Sequence, residues 1–235
     1  MRRDTVPGTD FIIYQNENDF SYSLDSLCLT SFARPRGICA DLGAGTGIIT
    51  LRIAANSLVK KIFAVEIQTA VCELLKDSVK ENKLDYKVEV LNENIVNLRD
   101  MYSTNTFDTI LINPPYYDSY LKNLNVSKST SRHALTSLEE FISVSKFLLK
   151  DKGRVYLVGP ATRTAEIFTI FQNENLHVKR FAFVKKDMYS KARVVLVEAV
   201  KGSKKGSEPI RDIYIYEGGE YSKDYHTIRN NEEFI

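Results

Sequence analysis

Short apolar runs alternate along this chain with longer stretches in which apolar positions return at steps of three and four. The runs fall at residues 37–42, 61–66, 87–91, 107–112, 154–159, 177–184 and 192–200, each of a length that suits a buried strand. Between the first two, Ile48, Ile49, Leu51, Ile53 and Ala55 suit a helix. Between the next two, Ala70, Val71, Leu74, Leu75 and Val79 make an apolar stripe that would lie against a sheet. Such an order predicts βαβ units on a mainly parallel sheet. A capping signature at Thr136-Ser137-Leu138-Glu139-Glu140 opens a further helix, expected to reach Lys150, with Phe141, Val144, Phe147 and Leu148 on one face and Gly153 stopping it. Only residues 185–191 separate the last two runs, too few for a crossover helix, so these strands pair antiparallel.

The predicted class is therefore α/β and Rossmann-like: a seven-stranded, mainly parallel sheet that closes on a C-terminal antiparallel hairpin. Residues 201–207 read as a flexible basic loop and 213–216 as a small added strand. With no internal repeat or linker in view, residues 1–36 are expected to pack as an N-terminal segment on one domain spanning 37–235.

Composition narrows the function classes. At 235 residues, 43% hydrophobic and 26% charged, with 6 Pro and 11 Gly, the chain can bury a sizeable core and is neither disordered nor fibrous. No stretch approaches the roughly 18 apolar residues of a membrane span, and no apolar run follows Met1-Arg2-Arg3-Asp4 as it would in a signal peptide. A soluble, cytoplasmic protein without membrane contact is expected. Cys28, Cys39 and Cys72 are odd in number and lack a C-x-x-C spacing, so neither a disulfide framework nor a metal site is expected of them.

The first candidate chemistry lies where the strand Ile38-Cys39-Ala40 runs into Asp41-Leu42-Gly43-Ala44-Gly45-Thr46-Gly47 and then a helix. Glycines at a strand-to-helix turn let backbone approach a ligand closely. The spacing G-x-G-x-G differs from the G-x-G-x-x-G of nicotinamide sites, because Ile48 stands at the third glycine's place. Glu66 ends the next strand, 19 residues past Gly47, where a carboxylate can accept both hydroxyls of a ribose. Loop and acid together resemble class I S-adenosylmethionine methyltransferases. That resemblance implies that the loop backbone surrounds the methionine part of the cofactor, Glu66 holds its ribose and Ile67 packs on its adenine. After the third strand comes Leu91-Asn92-Glu93-Asn94-Ile95, where many such enzymes carry an Asp-Ile or Asp-Val pair that binds the adenine amine. Here Asn94 replaces the acid beside Ile95; its amide oxygen can accept the same hydrogen bond, and Glu93 is the alternative.

The second is Asn113-Pro114-Pro115-Tyr116, which follows the run 107–112 and so falls at the carboxyl end of a central strand. Methyl transfer to an exocyclic amine needs acceptors for the amine hydrogens, so that the lone pair is drawn out of the ring. Asn113 offers its side-chain oxygen and Pro114 its carbonyl, while Pro115 stiffens the turn and Tyr116 can stack on a planar substrate. No strong general base is called for, and positioning carries most of the chemistry. The tetrad resembles the N-P-P-Y motif of amino-methyltransferases acting on adenine, guanine or the glutamine amide of release factors, and by itself leaves the acceptor open.

The likeness extends through Phe20-Ser21-Tyr22-Ser23-Leu24-Asp25, Arg132-His133, Ser137-Leu138-Glu139, Ile213-Tyr214-Ile215-Tyr216 and Glu220-Tyr221-Ser222. On these residues the chain resembles the bacterial tRNA1(Val) (adenine37-N6)-methyltransferase family. This implies a methyltransferase domain, S-adenosylmethionine as cofactor, no metal, and adenine 37 in the anticodon stem-loop region of a tRNA as acceptor. The short stretch before Asp41 fits, since release-factor methyltransferases carry an extra amino-terminal helical domain. A monomer is expected, and Asp25 either closes the cofactor pocket or is a simple surface acid. A noncatalytic RNA-binding protein of the same fold is the alternative of a different class.

Charge gives a separate reason to expect RNA. The chain carries only +2 overall, yet residues 179–205 hold nine basic side chains against two acids. Lys179, Arg180, Lys185, Lys186, Lys191 and Arg193 are the candidates for phosphate contact there, with Lys122, Lys128 and Arg132 beside the tetrad. His133 is assigned to RNA contact or structure, because the reaction needs no histidine base.

Overall fold

A computed structural model describes residues 1–16, 23–114 and 136–234. The chain opens with an antiparallel pair, β1 (Arg2–Thr5) and β2 (Ile12–Gln15), then helix α1 (Leu24–Phe32). Next come β3 (Gly37–Leu42), α2 (Ile48–Ala54), β4 (Val59–Glu66), α3 (Thr69–Glu81) and β5 (Val88–Asn92). A 3-10 turn, Ile95–Asn97, leads through the short α4 (Leu98–Met101) to β6 (Phe107–Ile112). Beyond the tetrad lie α5 (Leu138–Leu148), β7 (Leu149–Pro160), α6 (Thr164–Asn173), β8 (Leu176–Lys185) and β9 (Ala192–Lys201). The tail adds two-residue strands β10 (Glu208–Pro209), β11 (Ile213–Tyr214), β12 (Tyr216–Glu217) and β13 (Glu220–Tyr221) before α7 (Lys223–Arg229).

Seven of these strands form the central sheet in the order β5-β4-β3-β6-β7-β9-β8, and β10 and β11 extend its edge along β8. Every neighbouring pair is parallel except those made by β9, which runs against β7 and β8. The expected α/β sheet with its antiparallel end is thus present. The strand order turns outward from β3 through β4 and back through β6, which makes the carboxyl ends of β3 and β6 the switch point where open α/β sheets bind ligands. Two apolar cores cover the two faces: α1, α2 and α3 pack over one, and α4, α5 and α6 over the other.

Several elements depart from the pattern. Helix α5 stops at Leu148, two residues short of expectation, because buried Leu149 pairs with Phe107 and already starts β7. Lys150 then leaves the helix end and binds Asp108 at 2.9 Å. Helices α1, α6 and α7 and the β1–β2 pair were not in the predicted set. The hairpin docks on α3, where Ile12 N–H donates to Asn82 Oδ1 and Tyr14 N–H to Ser78 Oγ. At the other terminus α7 is tied to α2 through buried Arg52, whose guanidinium donates to the Ile228 carbonyl at 2.6 Å and to Asn231 Oδ1 at 2.9 Å. Among the described residues no helix is long and apolar enough to cross a membrane.

Candidate active site

The glycine loop is shaped by two different demands. At Gly47 (φ +96) an added Cβ would lie 2.1 Å from Leu75 Cδ1, so this glycine lets α2 close against α3. Gly45 (φ +57) meets nothing within 4 Å where a Cβ would project, so here it is the left-handed backbone, not a close neighbour, that favours glycine. The loop is pinned to β4: the N–H groups of Gly43 and Ala44 both donate to the Val65 carbonyl at 2.9 Å, and Gly45 N–H donates to Glu66 Oε2 at 2.9 Å. Glu66 is buried, and its other oxygen accepts from Gln68 N–H at 2.9 Å. Each carboxylate oxygen keeps a second lone pair, so the acid can order the loop and still accept from a diol. Ile67 beside it is 51% exposed, an apolar side chain left open at the rim.

Asp41 turns inward beneath the loop. Its Oδ2 accepts from the Thr50 hydroxyl at 2.7 Å and from Thr50 N–H at 3.1 Å, which fixes the start of α2, whereas its buried Oδ1 has no partner among the described residues. Burial pushes this carboxyl up to about 7, against the pull of the two Thr50 donors. A carboxyl raised in the folded state takes up a proton on folding between about pH 4 and 7, so it withdraws stability as pH rises through that window. Asp41→Asn should therefore gain in melting temperature relative to the natural protein from pH 4 to 7 and level off above. A constant difference in melts across that range would show that Asp41 stays ionised.

Asn113 stands at the end of β6, half-buried, with Pro114 buried behind it. Its amide nitrogen donates to Ser26 Oγ at 2.8 Å, and Ser26 is itself buried in the first turn of α1. Ser23 caps that helix and lies 3.3 Å from Ser26, oxygen to oxygen. The amide is thereby oriented, and among the described residues no donor reaches its oxygen. Sequence reasoning missed Ser26; the signal was the cap pattern Ser23-Leu24-Asp25-Ser26, with an acid in the first turn.

Asn94 caps the 3-10 turn after β5, its Oδ1 accepting from Val96 N–H at 3.2 Å. Glu93 is occupied locally by Asn94 N–H and Asn97 Nδ2, both at 2.7 Å, and these bonds hold its carboxyl below the usual range. Both donors bind Glu93 Oε1, and Asn94 Oδ1 also accepts from the Thr136 hydroxyl at 3.4 Å, so the geometry sets neither residue apart as the acceptor at this turn. The Ile95 side chain points into the core and leaves only its main chain for a ligand. Asp25 meets Arg193 across α1 at 2.7 Å, so it has a specific partner. Cys28 and Cys39 are buried thiols pushed up to about 12 by desolvation, which makes them poor nucleophiles. Pro115, Tyr116, Lys122, Lys128, Arg132 and His133 lie outside the described residues.

The basic cluster divides in two. β8 ends, and β9 begins, at the same sheet edge as the glycine loop and Asn113, so Lys185, Lys186, Lys191 and Arg193 share that edge. Lys179 lies six residues earlier, roughly 20 Å away along the strand, where its ammonium donates to the Gly206 carbonyl at 2.7 Å. Arg180 is built into the sheet: it bonds buried Glu198 at 2.5 Å and lies over the Phe32 ring at 4.8 Å. Lys185 is paired with Asp212 at 2.5 Å. Among the described residues Lys186 and Lys191 have no ion-pair partner within 4 Å.

Residues 24–184 match the family described as methyltransferase small domain. Curated relatives named tRNA1(Val) (adenine(37)-N6)-methyltransferase include one from Cytophaga hutchinsonii, 30% identical over 60% of this chain and 59% of its own length. A second, from Vibrio campbellii, is 23% identical over 92% of this chain and 89% of its own. The chain thus spans less than two thirds of the first of these relatives. Among solved structures, a predicted O-methyltransferase from Agrobacterium tumefaciens superposes with a TM-score of 0.73 at 19% identity, covering 89% of this chain and 97% of that one. The P. horikoshii protein TYW2, solved in complex with MeSAdo, gives 0.56 at 19% identity over 83% and 69%. The structural likenesses speak for the fold, and the sequence match covers more than half of the residues: the chain belongs to the methyltransferase small domain family.

Proposed function

We propose that this protein transfers a methyl group from S-adenosylmethionine to the exocyclic amine of an adenine in tRNA, at position 37 beside the anticodon. The observation that carries the reading is Asn113, oriented by Ser26 at the switch point beside the glycine loop that Val65 and Glu66 pin in place. Bound at that loop, S-adenosylmethionine supplies a methyl group made electrophilic by its sulfonium. The loop backbone from Gly43 to Gly47 would hold the methionine part, Glu66 the ribose, and Ile67 with Asn94 the adenine ring. Asn113 accepts one hydrogen of the substrate amine through its side-chain oxygen, and Pro114 supplies a carbonyl for the other. Both contacts favour a nitrogen whose lone pair points out of the ring, so the residues act by placement and the proton is left to water. The base has to leave its stack first, which costs about a few kcal/mol and least in a single-stranded loop.

Similarity to the curated adenine methyltransferases supports adenine as the acceptor, and the lysines at the active-site edge suit a polyanion. Nucleoside mass spectrometry of tRNA incubated with enzyme and cofactor tests this directly. N6-methyladenosine is expected; methylguanosine alone, or methylation of a release factor alone, would overturn it. Ser26→Ala should lower kcat by about tenfold, as the loss of one orienting hydrogen bond implies, with the affinity for S-adenosylmethionine unchanged. An unchanged kcat would mean that Asn113 is oriented by other contacts.

A further inference from the structure

The hairpin that joins β8 to β9 turns apolar side chains out into solvent. Within its connection, residues 186–191, the Asp187 carbonyl accepts from Ser190 N–H at 3.2 Å, which closes a β-turn with Met188 and Tyr189 at its two central positions. Tyr189 is 90% exposed and Met188 67%. That exposure leaves both faces of the Tyr189 ring open, and among the described residues no other ring lies against it.

The turn beneath the ring is fixed. Asp187 Oδ1 accepts from Tyr189 N–H at 3.0 Å and from the Ser190 hydroxyl at 2.8 Å, so the main chain is set before any partner arrives. Exposed Lys186 and Lys191 flank the turn, both without an ion-pair partner among the described residues. They also line a cavity of about 460 Å³ behind the tip, which Arg229 of α7 borders from the tail. Among the described residues Asp25 is the one acid in that lining, and it is already paired with Arg193. The register places the tip over the candidate active site. Ile112 at the end of β6 is level with Leu157 of β7, and Leu157 with Val197 of β9. The hairpin runs on from Val197 to Ser190, which carries its tip roughly 20 Å beyond the end of β6.

We propose that this tip grips single-stranded RNA on its way into the active site: a base some nucleotides away from the target adenine stacks on the Tyr189 ring, and the phosphates beside it lie against Lys186 and Lys191. A ring face accepts any nucleobase and neighbouring cations track the backbone, the combination that single-strand recognition uses. Two protruding side chains are too small a patch for a stable protein interface, which buries about 800 Å² on each partner, and the unneutralised lysines select a polyanion. A turn fixed in advance keeps the ordering cost of binding low. The inference rests on the tRNA reading above and adds to it a hold on the strand away from the reacting base.

The test uses the full-length protein and two fluorescein-labelled dodecanucleotides followed by anisotropy, one of uridines and one with the same backbone but no bases. Tyr189→Ala should bind the uridine strand about 5- to 150-fold more weakly than the natural protein does, as loss of one base–aromatic stack implies, and the abasic strand with unchanged affinity. Tyr189→Phe, which keeps the ring, should stay within twofold on both. Changing Lys186 and Lys191 together to Ala should weaken both strands and flatten the logarithmic salt dependence by about 1.4, the share of two phosphates on a single strand. The proposal is overturned if Tyr189→Ala binds the uridine strand within twofold of the natural protein, if it weakens both strands alike, if Tyr189→Phe loses as much, or if the lysine variant keeps its salt slope. An exposed ring contributes little to folding, and the abasic strand reports any general loss of binding. The two readings fail separately: adenine methylation of tRNA at an undiminished kcat/KM by Tyr189→Ala overturns the tip alone, and Tyr189-dependent binding of the uridine strand without adenine methylation of tRNA overturns the activity alone.

Discussion

Asn113→Ala should lose roughly 100- to 1,000-fold in turnover, the usual effect of removing one positioned hydrogen-bonding group from a reacting centre. Its affinity for S-adenosylmethionine should stay within a few-fold, because the glycine loop is pinned to β4 through Val65 and Glu66 and makes no use of Asn113. Single-turnover kinetics with excess enzyme separate the two effects, and equilibrium titration gives the cofactor constant. Near-normal turnover would remove Asn113 from the reaction. A large loss of cofactor affinity would instead move the residue to the cofactor site.

Glu66→Ala acts on the other substrate. It removes the charged acceptor for a ribose and also frees Gly45 N–H and Gln68 N–H, so the loop loses its tie as well as its ligand contact. Charged hydrogen bonds of this kind contribute about 1.5 to 3 kcal/mol, so the cofactor dissociation constant should rise by between about 10-fold and about 150-fold. RNA affinity measured without cofactor should hardly change. Unchanged calorimetric titrations with S-adenosylmethionine would rule out the ribose role.

The parallel sheet was legible because its strands are buried on both faces and leave continuous apolar runs; 37–42 and 107–112 coincide with β3 and β6. The same runs marked where Asp41, Glu66 and Asn113 would stand, since Asp41 is next to last in β3, Glu66 ends β4 and Asn113 follows β6. Helix α1 was not legible for the opposite reason. Ser26, Thr30 and Ser31 are buried in it alongside its leucines, so no apolar stripe marks one face. In the tail only the added strand at 213–216 was legible, where β11 and the start of β12 fall; β10, β13 and α7 were not, because these strands have two residues each and are held by main-chain bonds rather than by any periodicity of their own. Grouping basic residues by sequence joined both ends of the hairpin, and the strand lengths separate Lys179 and the sheet-bound Arg180 from the lysines at the active-site edge.

Because β9 lies between β7 and β8, a ribosome delivers the strands in an order the sheet cannot use directly. β8 is complete first, yet among the described residues its only long partner is β9, and the β7 edge stays unpaired until the residues of β9 from Val194 on have been added. The pairing of β8 with β9 is antiparallel and local in sequence, the kind of hairpin that forms in microseconds once both arms exist, whereas that of β9 with β7 spans the intervening helix α6. Until β9 arrives the nascent chain carries a buried-type strand with an open edge, the kind of surface that recruits other chains. The period of greatest aggregation risk for this protein thus falls late in its synthesis, between the completion of β7 and the arrival of β9.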